Sequence, residues 1–204
     1  MQLLRPFGPS IGKFQLSQEI IDAANESAEL VIGSPELGKH LDWSEQLVGK
    51  VEQEFTIPQF FLNAHMPFFS DCVKEYVAAL AEMDCAHNPP DLKVGVRSAW
   101  FIRSIANDFN PAHIHSNCQF SSVGYLKLPD WEEELEEDNK DHHPCRGQIE
   151  FITGNPQPFS KHQIRYTPKV GDFYIFPSHM IHLVYPFSSP GERRSFSINF
   201  LLGR

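Results

Sequence analysis

The chain of 204 residues is long enough to bury a substantial hydrophobic core, and we predict a single domain spanning residues 1–204. Its net charge of -9 and the absence of a basic stripe argue against nucleic acid as a direct partner. No window is apolar enough for a transmembrane helix or a signal peptide, and the four cysteines form no CxxC pair, so we expect a reducing, cytoplasmic location.

The first 91 residues are predicted to form a mixed, largely helical support. A short extended piece covers Ile11–Leu16, and Ser17 caps a helix that runs to about Ile32. A second helix is expected from about Met66 to Met83, before Asn88-Pro89-Pro90 stops it.

From residue 92 onward the chain changes to short strands separated by Gly, Pro and Asn. This spacing predicts a mainly β fold, an antiparallel sandwich or barrel over residues 92–204, with the N-terminal helices packed on one sheet. The predicted strands are Val94–Ile105, Phe120–Leu128, Gln148–Thr153, Asp172–Phe176 and Arg194–Leu201.

An acidic run between Asp130 and Asp141 accounts for most of the net charge, since it contributes about -7. We interpret it as one solvated loop, to which the adjacent His142 and His143 also belong. This loop, with Trp100 and Trp131, is expected at the rim of a pocket, because loops around a rigid barrel usually set specificity.

The motif Asn110-Pro-Ala-His113-Ile-His115 is the sharpest local signal for a metal site. On a strand, alternate side chains share a face, so His113 and His115 point the same way while Ile114 points the other. Two imidazoles at that spacing can bind one metal without bending of the backbone. A pair of unrelated surface histidines is the alternative interpretation of an isolated HxH.

A third histidine follows an apolar strand further along the chain. Pro168 and Gly171 indicate a turn that leads into this strand, and Pro177 ends it. His182 can return beside the HxH pair as a distal ligand, and His179 competes with it for that role.

An alternation of polar and apolar side chains begins at Arg193. It places Arg193, Ser195 and Asn199 on one face of a strand and Arg194 on the other. The polar face either lies in water or lines a barrel, where Arg193 would meet a carboxylate through a bidentate pair. Alternation cannot choose between the two, but the position of the strand, one turn after His182, favours the barrel.

In this order, the HxH, the acidic loop, the strand-end histidine and the Arg-x-Ser strand resemble the iron(II)/2-oxoglutarate-dependent oxygenase superfamily. The likeness is strongest to the 2-oxoglutarate oxygenases of bacteria and phages that carry an N-x-x-H-x-H motif, over Asn110–Leu128 and Pro168–Asn199. The resemblance implies a double-stranded β-helix (jelly roll) that binds iron(II) with 2-oxoglutarate as cosubstrate. Its expected partners are 2-oxoglutarate, O2 and an unknown primary substrate, which it would hydroxylate, and a homodimer is left open.

The resemblance also implies which residues form the site. The implied metal ligands, which are also the catalytic residues, are His113, His115 and His182. The implied cofactor-binding residues are Arg193, Ser195, Tyr125 and Asn199. One departure concerns His115, because most members of the superfamily have Asp or Glu there, and a third histidine leaves the full charge of iron(II) uncompensated.

Two alternatives stay open at this point. A cupin-type dioxygenase or isomerase without 2-oxoglutarate also carries HxH and a distal histidine, but it usually has Glu where this chain has Gln119 and has no use for Arg193. A non-catalytic jelly-roll binding protein would account for the missing carboxylate at His115. Release of succinate with iron(II), O2 and 2-oxoglutarate separates the oxygenase from both.

Overall fold

Two antiparallel sheets and three α-helices make up the residues that the computed structural model describes, 8–83, 91–130, 146–159 and 161–203. The strands are β1 (Gly12–Gln15), β2 (Gln53–Thr56), β3 (Lys93–Ser104), β4 (Asn110–His113), β5 (Phe120–Lys127), β6 (Ile149–Ile152), β7 (Gln163–Tyr166), β8 (Asp172–Pro177), β9 (Ile181–Val184) and β10 (Arg193–Gly203). The helices are α1 (Gln18–Ile32), α2 (Pro35–Leu41) and α3 (Gln59–Met83), and one turn of 3-10 helix covers Ser44–Gln46.

The two sheets face each other as a jelly roll. The larger sheet has the order β1-β8-β5-β10-β3-β2, and the smaller has the order β4-β9-β6-β7. Every strand pair is antiparallel in the described part of the chain, and consecutive strands often lie in different sheets. The predicted mainly β fold, a double-stranded β-helix with N-terminal helices on one sheet, is confirmed.

The helices cover the outer face of the larger sheet. Helix α1 begins after Ser17, whose hydroxyl accepts a hydrogen bond from the Ile20 backbone N–H at 3.3 Å, as the sequence predicts. From α3, Phe69 is fully buried and its ring lies 5.7 Å from that of Phe196 on β10. Gly124 on β5 makes room for Phe196, because a Cβ at that position would collide with the Phe196 ring. This apolar layer holds the sheet rigid behind the site.

The predicted start of the second helix is wrong. The helix begins at Gln59 rather than Met66, and Pro67 lies inside it. A proline removes one backbone hydrogen bond and usually ends a helix. Here Phe61 and Phe69, on either side of Pro67, are both buried against the sheet, and this burial offsets the loss.

The sequence pattern did not define four of the short strands, each four residues long, which are β2, β4, β7 and β9. Helix α2 has no buried residue and so no apolar stripe to reveal it. The longer strands lie within two residues of their predicted bounds. Because β1 and β2 join the larger sheet, the first 91 residues contribute strands as well as helices. The division of the chain into an N-terminal support, residues 1–91, and a core, residues 92–204, stays a prediction.

The helices and the cysteines relate to the predictions about location. Among the described residues, no helix is both long and apolar enough to cross a lipid bilayer. Cys72 and Cys118 are free thiols, as expected, while Cys85 and Cys145 lie outside the described residues.

Candidate metal centre

Three histidines converge between the two sheets. His113 is the last residue of β4, and it lies directly opposite His182 on the neighbouring strand β9. His115 follows two residues later, where its backbone N–H donates to the Ser178 carbonyl at 2.8 Å. The ligating nitrogens of the three side chains lie within 4.8 Å of one another. This spacing suits a single metal ion.

Backbone carbonyls orient two of these rings. His113 Nδ1 lies 2.7 Å from the Pro111 carbonyl oxygen, and His182 Nδ1 lies 2.9 Å from that of Met180. A carbonyl can only accept, so each Nδ1 carries the proton and each Nε2 keeps its lone pair. His115 Nε2 lies 3.2 Å from His182 Nε2. Paired imidazole nitrogens with such outer partners are the usual arrangement of a metal site.

Burial keeps these imidazoles neutral. Together with the neighbouring histidines, it lowers the pKa of His115 to about 4 and that of His182 to about 3. The pKa of His113 is lowered for the same reason, although its hydrogen bond to Pro111 opposes the shift. Neutral imidazole is the form that binds metals, and it suits iron, zinc, copper and nickel. The donor set therefore fits a divalent transition metal.

The structure corrects the predicted setting of the histidines in two respects. The HxH is not wholly on a strand, since β4 ends at His113 and His115 lies beyond it. His182 does follow the strand that ends at Pro177, as predicted, but it lies within a further strand, β9, that the sequence pattern did not reveal. The choice between the two downstream histidines agrees with the geometry, because His179 is exposed and lies outside the cluster.

Arg193 is buried in the same pocket without a carboxylate partner. Its side chain is 2% exposed and contacts Ser104 Oγ at 3.2 Å and the Tyr185 carbonyl at 3.4 Å. The guanidinium also lies over the Phe187 ring, 5.5 Å from its centroid. No described Asp or Glu forms an ion pair with it, and burial lowers its pKa. A buried, unpaired guanidinium is expensive unless an anionic ligand completes it.

Tyr125 and Ser195 lie beside this guanidinium. They face each other across the β5–β10 pairing, and both line the pocket. The Tyr125 hydroxyl is buried with no hydrogen-bond partner among the described residues. Burial raises the pKa of Tyr125, while the charge of Arg193 lowers it. An unpaired hydroxyl next to an unpaired cation is a suitable site for a carboxylate.

The two faces of β10 divide as the alternation predicts. Arg194 points to the helices, where it contacts Glu192 at 2.6 Å and Glu29 at 2.7 Å. Asn199 lies on the pocket side of the strand, but it does not line the pocket. Its amide is held by Ser121 at 2.7 Å and by Ser98 at 3.1 Å, so it links β10 to both neighbouring strands.

One open pocket of about 550 Å³ joins these groups. Besides the three histidines and the cluster around Arg193, its described lining includes Leu47 and Val48 at the mouth and Trp100 near the metal ligands. The Trp100 ring centroid lies 5.6 Å from that of His115, which places this tryptophan at the pocket, as predicted. Trp131, His142, His143 and residues 131–141 of the acidic run lie outside the described residues.

Glu54 is a pocket residue that the sequence argument missed. It lies on β2, opposite Ile102 of β3, and only 8% of it is exposed. The pattern Gln53-Glu-Phe-Thr56 does not alternate in polarity, although Phe55 is buried on the helix side. Four residues were too few to identify as a strand, and nothing in the sequence placed this strand beside the histidines.

The pKa of Glu54 is raised to about 7, chiefly by burial and in smaller part by the charges of Asp108 and Asp42, while a hydrogen bond from Asn110 opposes the shift. Because the folded protein holds this proton more tightly than the unfolded chain, stability falls as pH rises from about 4.5 to about 7. We expect Glu54→Gln to unfold like the parent near pH 4.5 and to be more stable by about 1–3 kcal/mol at pH 8. Urea unfolding of metal-free protein at several pH values measures this difference. A constant difference across that range would show that Glu54 does not titrate as described.

Comparison with known proteins gives a family match and several matches of fold. Residues 98–199, half of the chain, match the family model described as "Putative 2OG-Fe(II) oxygenase". A search of curated protein sequences finds no match. Many solved structures share the fold, among them three that each cover 94% of the chain.

The first of these structures is the non-heme alpha-ketoglutarate-dependent carbocyclase SnoK from nogalamycin biosynthesis, with 11% identity and a TM-score of 0.59 over 94% of this chain and 79% of that one. A prolyl hydroxylase from Trichoplax adhaerens has 13% identity and a TM-score of 0.53 over 94% of this chain and 83% of that one. A prolyl-4-hydroxylase from Pseudomonas putida has 17% identity and a TM-score of 0.50 over 94% and 91%. At these identities the structures establish the shared fold.

Proposed function

Because the chain belongs to the 2OG-Fe(II) oxygenase family, we propose that its iron(II) binds to His113, His115 and His182. The protein is an enzyme that depends on iron(II) and 2-oxoglutarate, and its partners include O2 and a further substrate. The observation that carries the ligand assignment is the convergence of the three side chains, with the Nε2 atoms of His115 and His182 only 3.2 Å apart. Two like lone pairs at this distance favour a cation between them.

The distal carboxylate of 2-oxoglutarate is proposed to bind Arg193. Support comes from the burial of this guanidinium without an acidic partner and from the unpaired hydroxyl of Tyr125 beside it. Ser195, opposite Tyr125, is proposed to complete the carboxylate site. The role proposed for Asn199 is to hold β5 and β3 against β10 around this site, because its amide contacts a serine on each.

Iron(II) and 2-oxoglutarate together activate O2 and couple the oxidative decarboxylation of 2-oxoglutarate to succinate and CO2 with oxidation of the substrate. The chain contributes orientation and the exclusion of water. Met180 and Pro111 carbonyls fix the ring tautomers, and Arg193 anchors the cosubstrate from a buried strand. We propose hydroxylation as the reaction performed on the primary substrate.

Iron content and succinate release test this proposal together. Purified protein should bind one iron(II) per chain and should release succinate only when iron(II), O2 and 2-oxoglutarate are all present. The family match sets aside the cupin and binding-protein alternatives. Stoichiometric iron without any 2-oxoglutarate turnover, in the presence of a broad substrate panel, would contradict the cosubstrate assignment.

His115 is the unusual ligand in this proposal, since most members of the superfamily have a carboxylate there. We expect His115→Asp to keep stoichiometric iron, because it restores two histidines and one carboxylate. His115→Ala should lower iron affinity roughly tenfold or more, the loss typical of even an outer partner of a metal. Iron titration of both variants measures the effect. Unchanged affinity in His115→Ala would remove His115 from the ligand set.

Three finer points are also proposed. The net charge of -9 supports a protein that does not act on nucleic acid. The free thiols of Cys72 and Cys118 support a reducing, cytoplasmic compartment. A homodimer would use the β3 edge over residues 93–98, which pairs with β10 but not with β2 among the described residues, and light scattering on the purified protein tests it.

A further inference from the structure

The pocket has a second charged end, which neither the metal nor the cosubstrate uses. Among the described residues that line it, Glu54 is the one carboxylate and Arg193 is the one Lys or Arg. Tyr125, Ser195, Ile102 and Glu54 form a row across four neighbouring strands, from β5 to β2. With strands about 4.8 Å apart, the Glu54 backbone lies roughly 10 Å from that of Ser195 and roughly 14 Å from that of Tyr125. Glu54 therefore lies two strands from Ser195 and three strands from Tyr125.

Glu54 has a hydrogen bond from Asn110 but no cationic partner in the described part of the chain. Two other buried carboxylates do have one, Glu150 with Arg165 at 3.2 Å and Asp172 with Lys13 at 2.8 Å. Its neighbours Asp108 and Asp42 add negative charge instead. A buried carboxylate among like charges is unfavourable when it is ionised, so it keeps its proton unless a cation from outside pairs with it.

Glu54 is also not a metal ligand. The group of side chains whose ligand atoms lie within 4.8 Å of one another contains the three histidines and excludes Glu54. The carboxylate that is missing at His115 is thus not replaced from β2. A dianionic cosubstrate would be repelled by Glu54, so the group left to meet it is the primary substrate.

The residues around Glu54 indicate what kind of ligand body would accompany a cationic group bound there. Leu47 and Val48 lie at the mouth of the pocket, where Val48 is 49% exposed, and Ile102 lies next to Glu54 on β3. Asn110 holds this rim in place, because its Nδ2 donates to the Val48 carbonyl at 3.0 Å. An apolar rim around one carboxylate suits a ligand with an apolar body and a cationic head.

We propose that Glu54 binds a cationic nitrogen group of the primary substrate, so that the substrate is an amine or guanidine attached to an apolar portion. This inference rests on the proposed function, since it places the substrate in the same pocket as the metal. Glu54 then sets which molecule is presented to the metal, while Arg193 on β10 selects the cosubstrate.

Matched pairs of small probes test the proposal without knowledge of the natural substrate. Primary alkylammonium ions from propyl to hexyl and the alcohols of the same chain length are titrated at pH 8 by calorimetry into protein loaded with iron(II) and 2-oxoglutarate under nitrogen. Amines should bind roughly tenfold to a hundredfold more tightly than the matching alcohols, the range expected for a charged hydrogen bond. Glu54→Gln should reduce this preference to about twofold or less, and Glu54→Asp should keep part of it. Glu52→Gln, which removes the same charge outside the pocket, should leave it unchanged.

Equal or undetectable binding of amines and alcohols by the parent protein would overturn the proposal, as would an amine preference that survives in Glu54→Gln. Iron content and 2-oxoglutarate affinity are measured on the same preparations. Normal values with no amine preference would overturn the role of Glu54 alone. A preference that depends on Glu54 in protein without stoichiometric iron would leave Glu54 in place and overturn the metal assignment.

Discussion

Arg193→Leu should raise the apparent Michaelis constant for 2-oxoglutarate by roughly ten- to a thousandfold while iron(II) binding survives. The guanidinium is 2% exposed and forms no ion pair with a described Asp or Glu, although the charge of Asp108 acts on it, so the cosubstrate carboxylate would be its direct counter-ion. Loss of such a charge-assisted pair costs about 1.5–4 kcal/mol, which sets the range. Succinate formation at varied 2-oxoglutarate concentration measures the constant, and metal analysis shows whether the iron is retained.

The neighbouring arginine provides the control for this experiment. Arg194→Leu removes ion pairs with Glu29 and Glu192 on the helix side, so it should lower the melting temperature and leave cosubstrate affinity nearly unchanged. Tyr125→Phe removes only the hydroxyl and should weaken 2-oxoglutarate binding less than Arg193→Leu does. Equal effects of the two arginine substitutions on the Michaelis constant would contradict the assignment of the cosubstrate to the pocket face of β10.

His182→Ala should abolish stoichiometric iron binding and, with it, release of succinate. His182 is the most deeply buried of the three histidines, and its Nδ1 is already committed to the Met180 carbonyl. Loss of an outer partner of a metal typically costs roughly 10–100-fold in affinity, so loss of a ligand should cost more. Iron titration and metal analysis after desalting measure the loss.

His179→Ala is the matched control, because His179 is exposed and lies three residues from His182 in sequence, outside the cluster. It should keep nearly all of the iron. A melting curve of each metal-free variant shows whether the fold survives the change. If His179→Ala lost iron and His182→Ala retained it, the distal ligand would be misassigned.

The sequence predicted the site best where alternation of polar and apolar side chains along a strand included residues with distinctive chemistry. Alternation alone placed Arg193 and Ser195 together and Arg194 on the opposite face, and the structure agrees. Alternation could not say that the polar face is buried, because that depends on the second sheet covering it. The position of the strand, one turn after His182, favoured a buried face, and the resemblance to a known superfamily pointed to His182 rather than His179.

The rest of the pocket could not be predicted because short strands carry too little pattern. Glu54 reaches the site only through the pairing of β2 with β3, whose paired positions Phe55 and Phe101 are 46 positions apart in sequence. Local sequence does not encode such long-range pairing. The start of α3 was hidden for the opposite reason, since a strong local signal, Pro67, was overridden by burial of Phe61 and Phe69.

The two-sided character of β10 limits how the gene for this protein can change. One added residue after Arg193 would rotate the following side chains to the opposite face, bringing Phe196 into the pocket and Ser195 into the helix layer. An insertion there would remove the apolar layer and the cosubstrate site at once. Residues 42–52, which carry Leu47 and Val48, contain no strand of either sheet and can change length without such a rotation. Insertions and deletions at the rim can therefore change which substrates enter the pocket without changing the proposed metal and cosubstrate sites.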